Sequence, residues 1–135
     1  MVQRYRGSCL CGQIVFDVTG FSDEVAACHC TMCRKFHGAA FGTLVEVQGL
    51  RWLSGKALLK DYAGDNGTVR KFCNHCGTSL AFLARGLGDD QLELAISTFD
   101  DEIPIKIDVH IYTDYKANWF DPPGCLLYTS PSPRD

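Results

Sequence analysis

Between residues 13 and 19 apolar and polar positions alternate, placing Ile14, Phe16 and Val18 on one face. That period of two is the mark of a half-buried strand. Short apolar or alternating runs at 39–47, 50–53, 58–62, 68–72, 79–84, 91–97 and 106–112 read as further strands. Turn signals lie between them at Asp23, Gly49, Ser54-Gly55, residues 64–67 and residues 86–90. The pattern predicts one helical turn, over residues 31–38, with Thr31 as its N-cap. Strands at this spacing predict an all-β fold of antiparallel sheets packed together, and no solenoid repeat is present.

Composition narrows the class. A chain of 135 residues is about one domain by length and can bury a core without disulfides. With 46% hydrophobic and 21% charged residues it is not of the disordered type. A net charge of −3 and a pI near 5.7 give no electrostatic footprint for nucleic acid or an anionic membrane, so neither partner is expected. The N-terminal residues hold no apolar signal region, and no apolar run reaches bilayer length. A cytoplasmic location is therefore expected, where thiols stay reduced and clustered cysteines serve as metal ligands more often than as disulfides. Residues 125–135 change character and include the run Ser130-Pro131-Ser132-Pro133. They are expected to be a disordered or non-native tail, apart from a domain spanning 1–124.

Seven of the eight cysteines fall in three clusters: Cys9-Leu10-Cys11-Gly12, Cys28-His29-Cys30-Thr31-Met32-Cys33, and Cys73-Asn74-His75-Cys76-Gly77. Cys125 stands alone. In an extended chain residues i and i+2 face the same side, so Cys9 and Cys11 can grip one ion. A C-x-x-C turn such as Cys73 to Cys76 also converges two thiolates, with the following glycine relieving the backbone. Two such pairs make a closed four-thiolate site of the structural zinc type. The middle cluster offers three thiolates from one short segment, and three protein ligands leave a fourth position open for chemistry. Spacing alone leaves the pairing of clusters open. His29, His37 or His75 could add a nitrogen ligand, and the even cysteine count keeps disulfides in view.

These clusters, in the runs Gly7 to Gly12, Cys28 to Lys35 and Phe72 to Gly77, resemble the glutathione-dependent formaldehyde-activating enzyme family, also called the CENP-V/GFA domain. The resemblance extends from about Arg6 to Trp119 and includes Ile96 to Asp101 and His110-Ile111-Tyr112. It implies an Mss4-like β-tent of antiparallel sheets with two zinc ions per chain. The resemblance assigns Cys9, Cys11, Cys73 and Cys76 to a structural zinc, and Cys28, Cys30 and Cys33 to a catalytic one. The implied activity is carbon–sulfur lyase chemistry, condensing a small thiol such as glutathione with formaldehyde.

Arg34 and Lys35 directly follow the triple and are the candidates for meeting a substrate carboxylate, against the plainer reading of a solvated basic pair. His110 sits in an apolar run, where a structural histidine is expected. Trp52 and Trp119 are expected in the core, and Asp100 and Asp101 are expected to end a strand. Two alternatives to the lyase remain: a non-catalytic zinc module of CENP-V type that binds a protein partner, and methionine sulfoxide reductase chemistry on a similar fold. The latter needs a free activated cysteine, for which Cys125 is the one candidate.

Overall fold

Ile14, Phe16 and Val18 are completely buried in the computed structural model, as their alternation predicts, and the strand that begins just after Ile14 and carries the other two is the middle strand of one sheet. The structure describes residues 2–123. The tail beginning at Cys125 lies outside them. Among the described residues eleven strands are formed: β1 Tyr5–Ser8, β2 Val15–Val18, β3 Gly20–Phe21, β4 Ala26–Cys28, β5 Gly42–Gln48, β6 Arg51–Ser54, β7 Leu59–Ala63, β8 Val69–Cys73, β9 Ser79–Leu83, β10 Glu93–Ala95 and β11 Val109–Ile111. One α-helix, α1, spans Thr31–His37, and short 3-10 turns flank several strands. The all-β class holds.

The chain forms two compact units, each built from two segments: residues 2–22 with 45–104, and residues 23–44 with 105–123. In the first unit β2 lies between β1 and β6, antiparallel to both. The meander β7-β8-β9-β10 is antiparallel throughout, and the C-terminal end of β5 pairs with β3. Phe16 meets Trp52 and Phe99 edge to face, at 5.8 and 5.2 Å between ring centres, arrangements that add to simple area burial.

In the second unit β4 pairs antiparallel with the first residues of β5 and parallel with β11, in the register Ala26–Val109, Ala27–His110 and Cys28–Ile111. This parallel pair departs from the all-antiparallel expectation. Parallel strands need a long connection, and here some eighty residues separate the two, so no local turn signal reveals the pairing. β1, β3 and β4 were not legible as strands either. They are two to four residues long and too short to show a period.

One buried charge organises the first unit. Asp17 is 6% exposed and accepts two hydrogen bonds from Arg51, at 2.7 and 3.0 Å, and one from Arg4 at 2.8 Å. Arg4 also donates to the Gly49 carbonyl. The Arg51 guanidinium, with Arg4 beside it, holds the Asp17 carboxyl below the usual carboxylate range. Breaking a buried pair leaves an uncompensated charge, although Arg51 itself is half in solvent and softens that cost. Asp17→Asn is expected to lose roughly 1–3 kcal/mol in denaturant melts at neutral pH. Because the folded carboxyl titrates below the unfolded one, the contribution is present above the ordinary carboxylate range and is lost as pH falls through it. The gap between variant and wild type should therefore close in acid, and a gap independent of pH would refute the assignment.

Candidate metal centres

The first centre is assembled by two turns of the same design. After Ser8, which ends β1, the chain reverses so that Gly12 N–H donates to Cys9 O at 2.9 Å, and Gly12 sits at φ 80°. After Cys73, which ends β8, Gly77 N–H donates to Cys73 O at 2.8 Å with φ 83°. A side chain at either position would be strained in that left-handed conformation. Backbone amides also point at the sulfurs: Ile14 N–H at Cys9 Sγ, 3.3 Å, and Cys76 N–H at Cys73 Sγ, 3.4 Å. Against the opposing effect of burial, the Ile14 amide helps to hold the Cys9 thiol below its usual value.

The Sγ atoms of Cys9, Cys11, Cys73 and Cys76 all lie within 4.8 Å of one another. Cys9 and Cys11 are 3.4 Å apart and Cys11 and Cys73 3.9 Å, so none of these sulfurs is bonded to another. Four sulfurs around a tetrahedral zinc at about 2.3 Å would stand about 3.8 Å apart, so this set fits the ion. Thr78 ties the two turns together. Its hydroxyl accepts from Leu10 N–H at 2.9 Å and lies 3.2 Å from Cys76 Sγ, and that contact brings the Cys76 thiol down to about 5.

The second centre lies at the junction of β4 and α1. Cys28 ends the strand, Cys30 caps the helix and Cys33 is buried in its first turn, and their three sulfurs also lie within 4.8 Å of one another. The cap is Cys30, and the expected Thr31 is instead the first helical residue. The reason is chemical: Cys30 Sγ accepts from Cys33 N–H at 3.4 Å, as a serine oxygen would at an N-cap. The turn that converges thiolates and the turn that starts the helix are therefore one structure. Cys28 and then Cys33 hold the Cys30 thiol well below its usual value. Cys28 is pushed up by hydrogen bonding within the same trio and by burial.

The candidate nitrogen ligands do not join either cluster. His75 is exposed in its turn. His37 packs edge to face with Phe36. His29, fully buried between two of the cysteines, turns its ring toward His110, with Nε2 2.9 Å from His110 Nδ1. Burial pushes both imidazoles down, so the pair is neutral and one ring donates to the other. Phe41 and Phe120 complete this box, and His29 N–H donates to Ile111 O at 3.0 Å. His110 is the structural histidine expected. Its partner was not foreseen, because the two lie 81 positions apart.

The remaining candidates divide. Asp100 and Asp101 accept from Ser8 Oγ and Arg6 N–H and tie down β1. Trp52 is half-buried against Phe16. Trp119 is 65% exposed and not in the core, a correction whose cause is local: Ala117 and Phe120 take the inward positions of that turn. It lines a groove with Arg34 and Lys35 of α1. Cys125 falls outside the described residues.

Residues 4–115 match the sequence profile of the family described as glutathione-dependent formaldehyde-activating enzyme. The chain is 27% identical over 117 residues to an uncharacterized lyase of Schizosaccharomyces pombe, covering 87% of this chain and 84% of the relative. The crystal structure of a Rhodobacter sphaeroides protein superposes with a TM-score of 0.60 at 19% identity, covering 92% of this chain and 99% of the other, which supports the fold. Among the described residues no helix is long and apolar enough to cross a membrane.

Thr78→Ala should weaken metal retention at the first centre by about 10- to 100-fold, the range for loss of an outer partner of a ligand. Competition with a chromophoric chelator would measure it, and unchanged affinity would show that the hydroxyl does not support the cluster.

Proposed function

We propose that this chain, which belongs to the glutathione-dependent formaldehyde-activating enzyme family, is a zinc-dependent carbon–sulfur lyase acting on the adduct of a small thiol with an aldehyde. The observation that carries this reading is the inequality of the two clusters. One gathers four sulfurs and the other three, and among the described residues no His, Asp or Glu completes the second. A four-thiolate set is closed, whereas a three-thiolate set leaves a position for a reactant.

Cys9, Cys11, Cys73 and Cys76 would hold a structural zinc, and Cys28, Cys30 and Cys33 a second ion. Zinc bound by three thiolates lowers the pKa of a thiol and polarises an aldehyde oxygen. The chain's own residues prepare that site. The Cys33 amide and the neighbouring thiols keep Cys30 ionised. The β4 ladder and the His29 amide fix the segment that carries the ligands. In the condensation direction the thiol sulfur bonds to the aldehyde carbon, the π pair of the carbonyl passes to oxygen, and oxygen takes up the proton that the thiol loses. The lyase direction reverses each change. Glutathione, the thiol in the family's description, is the proposed cosubstrate.

The two sites should respond differently to loss of one ligand. Structural zinc contributes roughly 10–16 kcal/mol in small peptides, as much as or more than a domain's whole stability of about 5–15 kcal/mol. Cys73→Ser, at a fully buried sulfur, is therefore expected to be unfolded or insoluble. Cys30→Ser should stay folded, retain about one zinc instead of two, and lose at least about 100-fold in thiol-dependent turnover. Metal analysis, circular dichroism and a glutathione–formaldehyde assay decide between outcomes. A folded, fully active Cys30→Ser protein would refute the proposal, and wild type without thiol-dependent turnover would favour a non-catalytic interaction module.

A further inference from the structure

Beside helix α1, in the second unit, lies a groove of about 300 Å³ lined by Thr31, Arg34, Lys35, Gly38, Ala39 and Trp119. That size stands at the lower end of small-molecule sites, about 300–1,000 Å³. One of its lining residues, Thr31, is bonded directly to Cys30 of the three-thiolate cluster.

The lining contains two cations and no carboxylate. The two cations are not equivalent. Arg34 Nη1 donates to the Tyr115 carbonyl at 3.0 Å, which ties the helix to that turn and uses part of its donor set. Lys35 is exposed and has no ion-pair partner among the described residues. An unpaired ammonium in a concave, partly apolar setting favours an anionic group on the occupant.

The same groove is lined by Trp119. A lone exposed tryptophan would carry no argument. This one projects from a turn that is pinned on both sides. Ala117 is buried, Phe120 N–H donates to Ala117 O at 3.3 Å, and the Phe120 ring packs 5.6 Å from Phe41. The indole is thus presented in place, and an occupant would not have to order its backbone on binding. A flat apolar face beside a cation suits a ligand with both a carboxylate and peptide planes or methylenes.

We infer that this groove binds the carboxylate-bearing arm of a peptide thiol, with Lys35 as its cation and Trp119 as its wall, and that it sets the preference for acidic peptide thiols over small neutral ones. The inference rests on the proposed thiol–aldehyde activity for its biological meaning, but its test does not require turnover.

The probe is S-methylglutathione, a thioether that keeps both carboxylates and both peptide bonds but has no thiol to react. Zinc-loaded full-length protein is titrated by calorimetry and by tryptophan emission. Wild type should bind saturably with a change in emission. Lys35→Gln should weaken binding about tenfold, as expected for loss of a charge-assisted hydrogen bond, and Lys35→Arg should restore it. Trp119→Ala should weaken binding similarly, and Trp119→Phe should abolish most of the emission change while keeping much of the affinity. Both positions are exposed, so all four variants should fold. In the condensation assay, Lys35→Gln and Trp119→Ala should raise KM for glutathione with kcat little changed. The ratio of kcat/KM for glutathione to that for 2-mercaptoethanol should fall about tenfold. Turnover without thioether binding, or binding indifferent to both residues, overturns the groove assignment and leaves the lyase standing. Binding that depends on both residues without any turnover overturns the lyase and leaves the groove standing. Neither binding nor turnover overturns both.

Discussion

Four sulfur atoms from two chain segments, more than sixty residues apart, have to converge at one point in the first unit. Cys11 and Cys73 are separated by 62 positions, and closing so long a loop carries an entropic cost that two short turns alone do not repay. A metal ion that binds the folded arrangement, and binds the open chain poorly, would supply what is missing. Around this point the details agree. Both turns end in a left-handed glycine, backbone amides face Cys9 and Cys73, and Thr78 links one turn to the other. Each feature is weak alone. Together they hold the thiolates ready in a chain that has ordinary hydrophobic packing elsewhere.

The second cluster obeys the opposite logic. Its three sulfurs come from six consecutive positions, so gathering them closes no long loop. Its local order comes from β4 pairing with β11 and from α1, whose cap is one of the ligands. His29, although it lies between two of the ligands in sequence, turns to His110 in a box closed by the rings of Phe41 and Phe120. A site with three donors, local in sequence and not needed to tie the fold together, can exchange its fourth ligand without threatening the structure. That separation of tasks is what the proposed chemistry requires.

The sequence made some of this visible and hid the rest for identifiable reasons. Cysteine spacing is nearly geometry within each pair or triple, since i, i+2 and i, i+3 positions bring sulfurs together locally; which pairs share a centre was open from spacing, and the structure gathers the sulfurs in the sets of four and three that the family resemblance implied. The inward face of β2 was legible because Ile14, Phe16 and Val18 alternate over enough positions. β1, β3 and β4 are too short to carry a period, and the parallel β4–β11 pair is joined through some eighty residues. The cap at Cys30 was missed because a cysteine was read only as a ligand, although its sulfur occupies the place of a serine oxygen. Trp119 was expected in the core as a large aromatic residue, but in a tight turn Ala117 and Phe120 claim the inward positions. Histidines were weighed as ligands one at a time, and their pairing depends on a register that no local signal records.

On the proposed function, one thiolate cluster holds the fold and the other is free to react. Timed alkylation of the native zinc-loaded protein, read cysteine by cysteine by mass spectrometry, tests it most directly. Cys28, Cys30 and Cys33 should be modified first, while the protein remains folded by circular dichroism. Cys9, Cys73 and Cys76 should be modified only as the fold is lost, and Cys11, although exposed, should be protected with them by its place among the ligands. Early modification of Cys9, Cys11, Cys73 and Cys76 in a protein that stays folded, with the other three protected, would contradict the account.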